Sequence, residues 1–285
     1  MKLKKILFPV EFSNQCASVA SSVRSLTEFF DAELVLLHAT GIFPDATYPG
    51  QLYKALTQNI QKTSADKMNR FVGRHFPHLR LNTVIKGGDP PQIIVDYAHG
   101  HKIDLIMMPT HGYGPFRRFL IGSVTAKVLH DARCPVWTSA HLRRPSKKSM
   151  IGYHNILCTV DCNSSAVPVI RWAAWLAERY EAALKIVHVI PGMDETSKNR
   201  GEALVRRYFS QRAKAEFDIL IEQAGFRGDL LLRGGSIQVK LAETAREQHS
   251  DLMVIGRGRT RLALGRLRTH SFAIIREAPC PVLSV

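Results

Sequence analysis

The chain is written twice, and this constrains its fold more than any other feature. Lys5-Ile-Leu-Phe-Pro-Val-Glu-Phe-Ser13 is echoed by Asn155-Ile-Leu-Cys-Thr-Val-Asp-Cys-Asn163, and Ala32-Glu-Leu-Val-Leu-Leu-His38 by Ala182-Ala-Leu-Lys-Ile-Val-His188. Val84-Ile-Lys-Gly-Gly88 matches Leu231-Leu-Arg-Gly-Gly235, Asp104-Leu-Ile-Met-Met108 matches Asp251-Leu-Met-Val-Ile255, and Ala132-Arg-Cys-Pro-Val136 matches Ala278-Pro-Cys-Pro-Val282. The matches keep their order at an offset of about 146–150 residues, far beyond the ~20–50-residue period of a solenoid. A whole domain has been duplicated. The 285 residues suit two domains of ordinary size, each long enough to bury its own core. The expected domains are 1–140 and 153–285. Between them, His141-Leu-Arg-Arg-Pro-Ser-Lys-Lys-Ser149 is polar, basic and broken by Pro145, and reads as a linker.

Within the first copy, short apolar runs at Ile6–Val10, Leu34–Ala39, Leu81–Ile85, Leu105–Met108 and Pro135–Ser139 have the length of strands buried on both faces. Helix-like stretches separate them: Ser13–Phe30 behind a capping Ser, Gln51–Phe76, Pro91–Gly100 between a first-turn Pro and a closing Gly, and Ser123–Ala132. Alternating strands and helices predict an α/β fold: two tandem, doubly wound, parallel five-stranded sheets with helices on both faces. Ligands in such sheets bind outside the carboxyl ends of the strands.

The formal net charge of +15 favours anionic partners, or simply solubilises the surface. Glu11 interrupts the N-terminal apolar run after Val10, well short of a secretory segment of about 7–15 apolar residues. No stretch reaches the ~18 apolar residues of a membrane span. A cytoplasmic location without membrane contact is expected. The five cysteines are odd in number and form no Cys-x-x-Cys, which argues against a disulfide framework. Cys158 and Cys162, with His154, have a loose metal-like spacing, but Cys158 lies in an apolar strand-like run. Two buried or partly buried thiols are the better reading, and no metal site is assigned.

The strongest local signal follows the fourth strand of the first copy. Met108-Pro-Thr-His-Gly112 is followed by nine residues and then by Gly122-Ser-Val-Thr125, which opens a helix. Glycines let backbone N–H groups approach a phosphate, and a helix N-terminus adds unpaired N–H groups and partial positive charge. The spacing fits neither the common P-loop nor Gly-x-Gly-x-x-Gly. Arg117 and Arg118 lie inside the nine-residue stretch, either as phosphate donors or as a solvated basic face. His111 has two readings, a phosphate contact or a bond within its own turn. For His38 and His188, at matching strand ends, a structural role is preferred.

With Gly112 and Gly122-Ser123, the first-strand segment Ile6–Ser13, the His38-Ala39 strand end, Gly87-Gly88-Asp89-Pro90 and Cys134-Pro135-Val136, the sequence resembles the universal stress protein family along nearly its whole length, twice. The resemblance implies an adenine nucleotide alpha hydrolase-like fold, with the two copies packed as a pseudo-dimer through their last strands. It implies ATP as the ligand, with Mg²⁺ as a candidate companion ion. Pro9, Val10 and Glu11 would flank adenine and ribose, Ala39 and Met108 line the base pocket, and Gly112, Gly122, Ser123, Val124 and Thr125 hold the phosphates. Two departures stand out. Pro109 replaces the first motif glycine and offers no N–H, and Glu11 stands where the family usually has Asp.

In the second copy the Gly-Ser pair becomes Arg268-Thr269, one loop residue is missing, and Thr159 replaces the first-strand proline, although Asp161 is retained. ATP binding is expected to be weak or absent there. Five arginines between Arg257 and Arg268 suit anions. Without an RNA-recognition motif, a zinc finger or interleaved aromatics, a solvated or interdomain basic surface is favoured over a nucleic-acid site. The expected function is nucleotide-dependent regulation of an unidentified protein partner, with homodimerisation left open. The alternatives are a slow ATPase, for which Glu11 and Asp89 are the only nearby acids, and an anion-binding module built on the second-copy arginines.

Overall fold

A computed structural model describes residues 1–41, 50–111, 121–139, 152–193, 200–226, 228–257 and 266–285. The chain divides into two compact units, Lys2–Gly152 and Tyr153–Val285. The first contains strands β1 (Lys5–Pro9), β2 (Glu33–Ala39), β3 (Leu81–Lys86), β4 (Leu105–Pro109) and β5 (Val136–Ser139). Helices α1 (Asn14–Phe30), α2 (Gly50–His75), α3 (Pro90–Gly100) and α4 (Ser123–Asp131) connect them. The strands run in the order β3-β2-β1-β4-β5, and every pair is parallel. The order reverses between β1 and β4, which opens a crevice at their carboxyl ends. Right-handed crossovers put α1 and α2 on one face and α3 and α4 on the other, in keeping with the packing of α1 on α2 and α3 on α4.

The second unit repeats this plan. Strands β6 (Asn155–Thr159), β7 (Ala183–Ile190), β8 (Leu230–Gly234), β9 (Leu252–Ile255) and β10 (Val282–Ser284) alternate with α5 (Ala166–Tyr180), α6 (Arg200–Ala224), α7 (Ile237–Glu247) and α8 (Arg266–Glu277). Their order is β8-β7-β6-β9-β10, again all parallel. The five cysteines are free. Among the described residues no helix is long and apolar enough to cross a membrane.

Local chemistry explains these elements. Ser13 caps α1 by accepting from Cys16 N–H at 3.1 Å, the expected use of a Ser before an apolar helix. Asp31, at φ 48, ends it in the left-handed region. The apolar runs of β1 and β4 are almost wholly buried, as a central parallel strand requires. Asp104 takes the N–H groups of Lys4 and Lys5 on one carboxylate oxygen, at 2.8 and 2.9 Å. Asp251 takes the N–H groups of His154 and Asn155, one on each carboxylate oxygen, at 2.7 and 3.1 Å. The matched Asp residues therefore tie the entry of each fourth strand to that of its first.

One expectation is corrected. Leu81–Ile85 is not buried on both faces: Asn82 and Thr83 are exposed, because β3 is an edge strand with a neighbour on one side only. Helix α3 ends at Gly100, as read from the sequence, but the left-handed conformation is not on the glycine. That conformation falls on Lys102, at φ 52, while His101 caps the helix at φ −102. The glycine that is needed conformationally is the second of each Gly-Gly pair, Gly88 at φ 130 and Gly235 at φ 125.

Candidate functional site

The crevice of the first unit is built from the ends of β1, β2 and β4 and the start of α4. Pro9 and Met108 end buried on adjacent strands. Val10, 4% exposed, donates its N–H to Leu37 O at 2.9 Å, which fixes the chain as it leaves the sheet. His38 reinforces this exit, since its Nδ1–H donates to Val10 O at 2.8 Å. A carbonyl only accepts, so the proton sits on Nδ1. Burial holds the His38 pKa below the ordinary imidazole value; its bond to Val10 opposes this and Lys67 reinforces it. Ala39 closes β2, half-buried. Glu11 is half-buried and its Oε1 accepts from Ser13 Oγ at 2.8 Å.

Past β4 the chain is pinned again. Thr110 O accepts from Gly122 N–H at 2.8 Å, which returns the loop to the strand end from which it left. Gly122 caps α4 with extended backbone, and among the described residues no side chain caps the helix N-terminus. Among the described residues, the N–H groups of Ser123, Val124 and Thr125 have no backbone acceptor. These are the unpaired donors of a helix start, and no carboxylate occupies that first turn. Thr125 is 4% exposed, and its Oγ1 donates to Pro109 O at 3.0 Å. Its hydroxyl proton is thus committed to the fold, whereas the Ser123 side chain is exposed. The positive end of α4 faces a crevice floored by apolar strand ends, an arrangement that suits an anion carried by a flat apolar body.

Other candidates separate cleanly. His111 is buried, with Nδ1 3.0 Å from Thr110 Oγ1. Asp89, at the cap position of α3, pairs with Lys127 at 3.5 Å. His188 Nδ1 bonds Val160 O at 2.8 Å, the same contact as His38 makes, so both histidines fasten a strand exit. Gly112, Arg117 and Arg118, the linker 141–149, and Arg259 and Arg261 lie outside the described residues. Sequence reasoning missed Thr110, whose carbonyl holds Gly122; a lone Thr before a His carries no signal of that kind.

The second unit differs at the corresponding helix start. Counting from the matched Cys-Pro-Val segments, Arg268 and Thr269 occupy the places of Gly122 and Ser123. Helix α8 begins at Arg266, two residues before the match of Gly122, so Arg268 stands inside its first turn where Gly122 precedes α4. Asp161 is exposed at the end of β6.

The model of the universal stress protein family matches residues 2–139 and again 152–285. A universal stress protein of Methanocaldococcus jannaschii is 27% identical over 147 residues, 51% of this chain and 85% of the relative. One of Thermus aquaticus is 28% identical over 135 residues, 47% of this chain and 96% of the relative. Among solved structures, a universal stress protein of Archaeoglobus fulgidus superposes with a TM-score of 0.65, covering 99% of this chain and 96% of its own at 17% identity. That likeness shows the fold alone.

Proposed function

The chain belongs to the universal stress protein family, and from that premise we propose that its first unit binds an adenine nucleotide, ATP above all, and acts in the cytoplasm as a nucleotide-dependent stress-response regulator. One observation carries the reading: the N–H groups of Ser123, Val124 and Thr125 stand without backbone acceptors at the switch point of the sheet. In this reading Gly122, Ser123, Val124 and Thr125 hold phosphate oxygens, with Thr125 serving through its N–H because its hydroxyl is bonded to Pro109. Pro9, Val10 and Glu11 flank base and ribose, and Ala39 and Met108 line the base pocket. Gly112 belongs to the same site. The absence of a Cβ at Gly122 lets the phosphate approach the helix start.

ATP supplies the charge that α4 recognises, and its occupancy shifts the population of one conformation or partner surface. Mg²⁺ fits as an ion carried by the phosphates, since it keeps several waters and needs few protein carboxylates. Binding rather than turnover is the reading, because the two nearby acids are already engaged, Glu11 with Ser13 and Asp89 with Lys127. Hydrolysis needs a group that orients water.

The test begins with protein purified without added nucleotide, denatured, and analysed for released small molecules by mass spectrometry. Calorimetry with ATP follows on the wild type and on Gly122→Arg. The expected result is one adenine nucleotide per chain, lost in Gly122→Arg. No co-purified nucleotide and no heat on titrating ATP would overturn the reading.

A further inference from the structure

The duplicated scaffold supplies its own control. Phe12 leaves β1 at φ 65 and lays its ring on His38, centroids 4.6 Å apart, with an edge-on contact to Phe71 at 5.9 Å. The ring plugs the space between the strand ends and α2. In the second unit the matched residue is Cys162. With His188 it lines a cavity of about 850 Å³, walled also by Ile190, Met193, Val205, Phe209 and Ala213. This is in the ~300–1,000 Å³ range of small-molecule sites. Gly234 helps to shape the wall, because a Cβ there would lie 2.5 Å from Met193 O.

We propose that this cavity of the second unit is a binding site for a small aromatic amine, whose ring sits on His188 as the ring of Phe12 sits on His38. The ring requirement comes from the missing plug. With Nδ1 bonded to Val160, Nε2 of His188 is the ring's acceptor, suited to an N–H donor. Val205 and Phe209 present apolar side chains that are 52% and 43% exposed, a surface that a bound ring would cover.

The cationic requirement comes from charge. Helices α2 and α6 bury matching positions, Ser64, Met68 and Phe71 against Ala213, Phe217 and Leu220. This register sets Lys67 opposite Glu216, Arg70 opposite Ile219 and Arg74 opposite Gln223. The groove beside Phe12 is accordingly lined by Lys67, Arg70 and Arg74. Among the described residues the cavity of the second unit carries Glu202 and Glu216 against Arg212, with Arg212 paired to Glu216 at 2.9 Å. Asp161 adjoins Cys162, and burial together with Glu216 and Asp161 pushes that thiol up to about 12. In a chain of net charge +15, a locally acidic apolar cavity selects against nucleotides and for an ammonium group.

Calorimetric titration of the full chain with tryptamine and with indole-3-propionate compares one ring with opposite charges. Wild type is expected to bind one tryptamine per chain, about tenfold more tightly than the anion. Cys162→Phe, which restores the plug, should weaken tryptamine at least about tenfold with an unchanged thermal melt. Glu216→Lys, an exposed change that copies Lys67, should reverse the preference in favour of indole-3-propionate. Three results would overturn the proposal: no tryptamine binding to wild type, equal binding to wild type and Cys162→Phe, or preference for the anion in wild type.

Discussion

Thr125 Oγ1 donates to the carbonyl of Pro109 at 3.0 Å across 16 residues of sequence, and so pins the start of α4 to the end of β4. The buried hydroxyl tethers the helix start but does not cap it, because it donates to a carbonyl instead of accepting from the helix N–H groups. Thr125→Val keeps the shape and removes the donor. It should cost about 1–2 kcal/mol, the penalty for a buried carbonyl left unpaired, read as a lower midpoint in urea. Nucleotide affinity should fall with it, and Thr125→Ser should restore both. Unchanged stability in Thr125→Val would show that the carbonyl finds another donor.

His38 makes stability depend on pH. Its folded pKa lies below the ordinary imidazole value of 6.5, chiefly through burial. The unfolded chain therefore binds the proton more readily, and stability is fully present above that value and lost as pH falls through it toward the folded pKa. Lys67 faces the ring with the same sign of effect and Glu11 opposes it. His75, also lowered by burial and by Arg74, adds a loss in the same direction. His38→Gln keeps a donor for Val10 and removes the titration. Between about pH 7.5 and 5.5 its urea midpoint should fall less than that of wild type; an identical fall would remove His38 from the account.

Phe12 and Cys162 occupy matched positions with unequal packing. Phe12→Ala removes a ring that touches His38 and Phe71. For a half-buried Phe it should cost about 2 kcal/mol. Cys162→Ala borders an existing cavity and should cost less than about 1 kcal/mol. Urea unfolding of both variants beside wild type measures the difference, and equal costs would mean that the cavity is filled by the chain itself.

Asp104 and Asp251 each take two backbone N–H groups at a strand entry. Replacement of Asp104 by Ala should destabilise the first unit by about 1–2 kcal/mol, because charge-assisted bonds to backbone donors are lost. Asp104→Asn should recover part of that loss. Amide exchange at Lys4 and Lys5 is the direct measurement, and it should quicken in Asp104→Ala while the amides of His154 and Asn155 stay as they were.

Local patterns in the chain set the duplication, the alternation of strand and helix in each unit and the helix start at Ser123. Apolar runs such as Leu34–Leu37 have the length and composition of strands buried on both faces, and Gly122-Ser123 opens a helix. Tertiary structure decided what depends on neighbours distant in the chain. Leu81–Lys86 became an edge strand because only β2 lies beside it. The hydroxyl of Thr125 went to Pro109 rather than to solvent. The exchange of Phe12 for Cys162 was legible as two letters, but its consequence was not. The cavity that Cys162 lines is walled by residues of β7 and α6, and their spacing is a property of the packed unit, not of the segment.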